Sequence, residues 1–254
     1  MSVSEKLTAV AANMQRVYEA GLANGSYDNG YADGQTAGYN SGHADGVQAG
    51  KQAEQDAFWD MYQQNGQRTS YQYAFSYVWD EKSFRPKYDM VPTNVSYIFA
   101  NAEITDLVGL LEDRGVTMDF SKCTIFNWMT VGSKITRFPT IDLSSATNFN
   151  DGFRQHGTLV EAKLIGVRDV VQWSNSFHFC SALTTLTIEG IIGKAFSVSS
   201  SNKLTHDSLM SVISALKDLT PSGTTLTCTL GATNLAKLTD TEKAIATDKG
   251  WTLA

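Results

Sequence analysis

The sequence predicts an α+β chain: a helical N-terminal stalk, then a short solenoid of repeated coils, closed by a C-terminal cap of helices and strands. Three observations predict it. Glycine recurs at every fourth position from Gly30 to Gly50, apolar residues recur at a spacing of 24 between residues 124 and 191, and two capped helical patterns follow residue 204. The 254 residues are 42% hydrophobic and 11% aromatic, enough to bury a core and to argue against bulk disorder.

Residues 1–66 form the expected stalk. Ser4 and Glu5 suit a helix start, and Val3, Leu7, Val10, Met14 and Val17 alternate spacings of four and three as a heptad seam. This helix either self-associates or packs on its own domain. The tract 21–50 then carries Gly30, Gly34, Gly38, Gly42, Gly46 and Gly50. On a helix each glycine advances by about 40°, so the stripe would wrap partner helices in the right-handed sense with backbones in close approach. Interior glycine disfavours helix by about 1 kcal/mol per residue, or roughly 6 kcal/mol for the run. The tract is therefore either an oligomeric helix that a partner stabilises or a flexible linker. A calcium loop at Asp28, Asn29 and Asp33 lacks the closing glutamate, and a phosphate loop at Gly50-Lys51 lacks the Ser/Thr. A further helical pattern holds Ala53, Ala57, Phe58, Met61 and Tyr62 and stops at Asn65-Gly66.

Residues 67–115 read as an aromatic N-terminal cap. Tyr71, Tyr73, Phe75, Tyr77 and Trp79 alternate as a strand would, and helical spacing fits part of the same run. They are expected to seal the first coil, with a ligand-stacking platform as the alternative. Ile104, Leu107, Leu110 and Leu111 have helical spacing in a divergent first unit.

Residues 116–203 carry the repeat. Four columns advance by 24: Ile125, Phe149 and Trp173; Met129, Phe153 and Phe177; Ile135, Leu159 and Leu183; Leu143, Val167 and Ile191. That period lies within the range of leucine-rich repeats, whose units each give a short strand and a return turn around one shared core. The predicted solenoid is thus leucine-rich-repeat-like and irregular. In the cap, 204–254, Thr205 opens a helix with Leu209, Val212, Ile213 and Leu216 on one face, before Pro221-Ser222-Gly223. A strand at 225–230, a helix from Thr239 with Glu242 placed for a capping box, and a last strand at 251–253 complete it.

The segments EKLTAVAANMQRVYEAG, KQAEQDAFWDMYQQNGQRTSYQYAFSYVWDEKSFRPKYDM, the FxxCSALTTLTIEG unit at Phe177, and LTHDSLMSVISALKDL running on to LTCTLGATNLAKLTDTEKAIATDKGWTL together resemble a family. It is that of irregular leucine-rich-repeat proteins encoded by phages and prophages of gut Gram-positive bacteria, related to bacterial surface repeat proteins. The resemblance spans nearly all the chain outside 21–50, which looks like an expanded insertion. It implies a tail-associated virion role and transfers no catalytic residue.

Function classes narrow accordingly. With 20 basic and 26 acidic residues and no basic run, neither nucleic acid nor an anionic membrane surface is an expected partner. No apolar stretch reaches the roughly 18 residues of a membrane span, and MSVSEKLTAVAANMQRVYEAG is not a signal peptide, so synthesis in the bacterial cytoplasm is expected. Cys123, Cys180 and Cys228 read as buried reduced thiols. No GxSxG occurs, His43, His156, His178 and His206 lie in unrelated contexts, and Asp142, Asp151, Glu161, Asp169 and Glu189 read as solvated carboxylates. His156 and Cys180 share a column one repeat apart, which reads as a partly buried histidine beside a core thiol and not as a metal site.

No catalytic, cofactor-binding or metal residue is therefore assigned. The expected partners are the chain itself through the glycine stripe, as a homo-oligomer for which a trimer is one arrangement, other tail proteins, and a host-cell glycan or protein. Trp128, Arg137, Arg154, His156 and His178 are the candidate partner contacts. Alternatives are a purely structural tail protein and a bacterial surface adhesin, with a glycan-cleaving enzyme the least supported.

Overall fold

The computed structural model describes Asp60, Gln63, residues 66–76, Val78, Glu81 and residues 84–254. The chain divides into two units, Met1–Asn65 and Gly66–Ala254, and the second holds the repeated segments. The heptad seam, the glycine stripe Gly30 to Gly50, the apolar residues of the helical pattern at 51–64, and Tyr77 and Trp79 lie outside the described residues.

Successive segments of this unit lie alongside one another in parallel. Bridges join Ser70 to Asn94, Asn94 to Ile125, Ile125 to Asn148 and Asn148 to Gln172, steps of 24, 31, 23 and 24 residues. The next residue in each segment, Tyr71, Val95, Phe126, Phe149 or Trp173, is buried. Four places on, Phe75, Phe99, Thr130, Phe153 and Phe177 are also buried. Ring centroids 5.3 Å apart for Phe126 and Phe149, 5.7 Å for Phe149 and Trp173, and 5.8 Å for Phe153 and Phe177 tie neighbouring segments together.

The backbone explains why each segment turns where it does. The Ala74, Ile98, Gly152 and Ser176 N–H groups donate back three residues within their own segments, closing a tight turn. The intervening Tyr71, Tyr73 and Phe75 N–H groups donate instead to Asn94, Ser96 and Ile98 of the next segment. Alternate donors thus serve the turn and the neighbouring segment, which leaves few main-chain groups of the turn unpaired. The third residue of each turn is left-handed: Tyr73, Tyr97, Trp128, Asp151 and Asn175 have φ of +56°, +57°, +55°, +55° and +54°. A second left-handed position follows at Asn101, Gly132, Gln155 and Phe179.

On another side the segments run extended. Strands β1 (Ile141–Asp142), β2 (Glu161–Val167) and β3 (Thr185–Gly190) form a parallel sheet in that order. Ala162, Leu164 and Val167 of β2, with Leu186 and Ile188 of β3, face the core. Helix α1 (Leu107–Glu112) buries Leu107 and Leu111 and falls inside the step of 31, where it takes up the added length. After β4 (Phe196–Ser197) comes α2 (His206–Ala215), capped by the Thr205 hydroxyl accepting from Ser208 N–H. A 3-10 turn (Thr220–Ser222), β5 (Leu226–Thr229), α3 (Ala232–Leu235), α4 (Asp240–Asp248) and β6 (Trp251–Leu253) complete the chain. Strands β4, β5 and β6 make a second parallel sheet, and Phe196 meets Trp173 at 5.3 Å, seating this module on the last repeated segment.

The columns at a constant 24 need three corrections, and the first is Met129, which is buried but yields the place in line with Phe153 and Phe177 to Thr130. Ile125 is 39% and Ile191 is 50% exposed, so neither belongs to the core. The reason is a one-residue slip: Ile125 pairs with Asn148 at a step of 23, which puts Phe126 opposite Phe149, and Ile192 is the buried residue at the end of β3. All three cysteines are free and buried.

Candidate binding surface

The first left-handed column places its side chains one above another along the outside of the segments. Tyr73 and Tyr97 stack with centroids 4.6 Å apart and planes 8° from parallel. Tyr97 and Trp128 come next at 6.2 Å and 3°. The Arg154 guanidinium lies 4.7 Å over the Trp128 ring, and its Nη1 donates to the Asp151 carboxylate at 3.0 Å. All five side chains are half-buried. Burial first, then the neighbouring Tyr73 hydroxyl and Asp151 carboxylate, raise the Tyr97 phenol above its ordinary range. The Ser76 hydroxyl donates to the Tyr97 carbonyl, fixing the first segment against the second.

Two polar atoms of the neighbouring residues lack hydrogen bonds. Asn127 Oδ1 and Arg154 Nε are both buried with no hydrogen bond, one an acceptor and the other a donor.

The other candidate contacts fall elsewhere. His156 is fully buried and is withdrawn as a surface contact. Its Nε2 sits 2.7 Å from the Ile135 carbonyl, its Nδ1 has no partner, and burial pulls its pKa down to about 4. It is thus a neutral core imidazole. Cys180, in the same column, donates its thiol proton to the Phe153 carbonyl at 3.0 Å, and burial pushes its pKa up to about 12, making it a poor nucleophile. Arg137 is exposed and stands 3.8 Å from Asp106. His178 is half-buried, its ring 4.1 Å from that of the exposed Phe179.

Sequence reasoning brings Trp128 and Arg154 forward but takes Tyr73 for core and does not single out Tyr97. The signal is nevertheless present: Tyr71-Gln72-Tyr73-Ala74-Phe75 and Val95-Ser96-Tyr97-Ile98-Phe99 match at a spacing of 24.

An open cleft of about 510 Å³ in the C-terminal part is lined by Lys194, Lys217 and Asp218 among others, but Lys217 is already paired with Asp169 at 2.6 Å. Among the described residues no cluster of three metal-ligating side chains occurs, and no helix is long and apolar enough to cross a membrane. No family model, curated protein or solved structure matches the chain.

Proposed function

We propose that this chain is a non-enzymatic, tail-associated virion protein of a phage or prophage. In this reading residues 1–66 assemble it into a homo-oligomer, and a leucine-rich-repeat-like solenoid, 116–203, is displayed toward a receptor on the host cell. The tail association rests on the family resemblance of the sequence. The binding role rests on one observation, the outward row Tyr73, Tyr97, Trp128 and Arg154 built across four parallel segments. Stacked coils suit such a role because their surface side chains vary without disturbing the buried columns.

Two measurements test it. Antibody labelling of particles should decorate tails, and the purified chain should adsorb to host cells; unlabelled particles would defeat the virion assignment. The native mass of the full chain should be a multiple of 27.7 kDa and should fall toward 27.7 kDa in Gly38→Leu, and an unchanged mass would remove the glycine interface.

A second reading, a purely structural tail component, draws on the same row. The faces of Tyr73 and Tyr97 cover one another, as rings do when they serve only to clamp adjacent segments. Adsorption to cells separates the two.

A further inference from the structure

We infer that helix α2 is an edge lock. It fills the place of the strand that would follow β3, and through Ser208 and Ser211 it keeps a second copy of this chain from adding its own β3 there.

The sheet β1-β2-β3 gains one strand per repeated segment, with Glu161 of β2 paired to Thr185 of β3 at a step of 24. Among the described residues β3 is the last strand of this sheet. Its outer edge is met instead by α2. The Ser208 hydroxyl, 22 residues on from Leu186, accepts from Leu186 N–H at 2.9 Å, and the Ser211 hydroxyl, 23 on from Ile188, accepts from Ile188 N–H at 2.8 Å. The same hydroxyls donate to the Thr184 carbonyl at 3.2 Å and the Ile188 carbonyl at 3.4 Å. Each one gives and takes as a residue of a neighbouring strand would. Ser208 Oγ also lies 2.8 Å from the Thr205 hydroxyl, which its second lone pair can accept.

Spacing makes the substitution possible. Leu186 and Ile188, two apart on a strand, offer their N–H groups about 6.6 Å apart on one edge. Ser208 and Ser211, three apart on a helix, share one face about 4.5 Å apart along its axis. Main-chain bonds strap both ends: Thr205 N–H donates to the Thr184 carbonyl at 2.9 Å, and Ile192 N–H to the Ala215 carbonyl at 2.8 Å. Leu209, Val212 and Ile213 already bury the helix, and serine is a poorer helix former than alanine. Packing and propensity therefore leave the two hydroxyls to be explained by the edge they serve.

An open strand edge is a template for pairing with another chain. Two β3 edges related by a two-fold axis complement each other, so the partner shut out is a second copy lying antiparallel. The lock leaves self-association to other surfaces of the molecule.

The test uses the full chain, with wild type as the reference for native mass and for amide exchange. At low concentration Ile188 N–H in Ser211→Ala, and Leu186 N–H as well in Ser208→Ala/Ser211→Ala, should exchange faster by about tenfold or more. At high concentration the mass of both variants should exceed that of wild type, and the same amides should slow again as the edge is filled. Ser211→Thr, which keeps the hydroxyl, should match wild type. Position 211 is half-buried, so Ser211→Ala decides alone if the double variant loses its melting transition. Unchanged exchange in Ser211→Ala overturns the lock, as does wild-type mass at every concentration. Added mass that leaves the amides fast overturns it too, because the copies then join elsewhere, and so does a Ser211→Thr that behaves like Ser211→Ala. A monomeric wild type would defeat the glycine interface and leave this comparison intact.

Discussion

A single buried imidazole contributes to the acid sensitivity of the fold. His156 ionises near pH 4 when folded and near 6.5 when exposed, so the unfolded chain binds its proton first on acidification. Its contribution is complete above pH 6.5 and drains away as the pH falls toward 4, amounting to about 3 kcal/mol across that window. Urea unfolding at pH 7 and pH 4 should show this difference for wild type, and His156→Leu should flatten it; an equal slope in both would place the sensitivity elsewhere. At the surface the order reverses for His206, whose pKa is raised, chiefly by its hydrogen bond to Glu242 2.8 Å away. That stabilisation is present below the ordinary histidine range and is lost as pH rises through the raised value. The sequence reads His156 two ways, as a partly buried histidine beside the Cys180 thiol and as an exposed contact, and the structure buries it fully. A histidine in a column of small and apolar residues looks the same whether its ring faces in or out, and the Ile135 carbonyl that accepts its proton lies 21 residues away.

Elements with local signals were the most legible. Thr239 and Glu242 spell a capping box, and α4 begins there with the Thr239 hydroxyl accepting from Glu242 N–H and the Glu242 carboxylate accepting from Thr239 N–H. Thr239→Ala should lower stability by about 1 kcal/mol in chemical denaturation. The strand at 251–253 likewise starts where Gly250, at φ +84°, ends the helix. Long-range register was harder to read. The single-residue slip that exposes Ile125 lies between segments, and an apolar residue beside an apolar residue, Ile125 next to Phe126, hides which of the two faces inward. The left-handed column was invisible for a related reason: tyrosine and tryptophan carry no turn signal, unlike Asn175. At the end of β3, Gly190 has φ +135° and a Cβ there would collide with the Val167 backbone. Gly190→Ala should therefore destabilise by more than the fraction of a kcal/mol that a compatible site would gain, and a level melting curve would show that the strand ends can separate.

For the whole described unit, cohesion passes from each segment to the next, since the parallel bridges and ring contacts join neighbours. An array of this kind depends on its ends being covered. The C-terminal module covers one through Phe196, which rests on Trp173 and Phe177 and pairs with Cys228 of β5. A chain ending at residue 203 loses β5 and β6, and it should bind a hydrophobic dye and unfold without a sharp transition; a sharp transition would show that the segments hold themselves. The composition made a core of this size legible, but which module seals it depends on pairings between residues more than thirty places apart.

The long step of 31 has a practical side. Residues 106–116 take up the surplus, including α1, while Ala102 still accepts from Lys134 and Thr105 still accepts from Thr136. Extra chain at this corner bulges outward without shifting what lies above or below. It is a natural port: a guest peptide, an epitope or a fluorescent label spliced between Glu112 and Gly115 would be carried on the outside of the molecule, leaving the aromatic face free to be assayed.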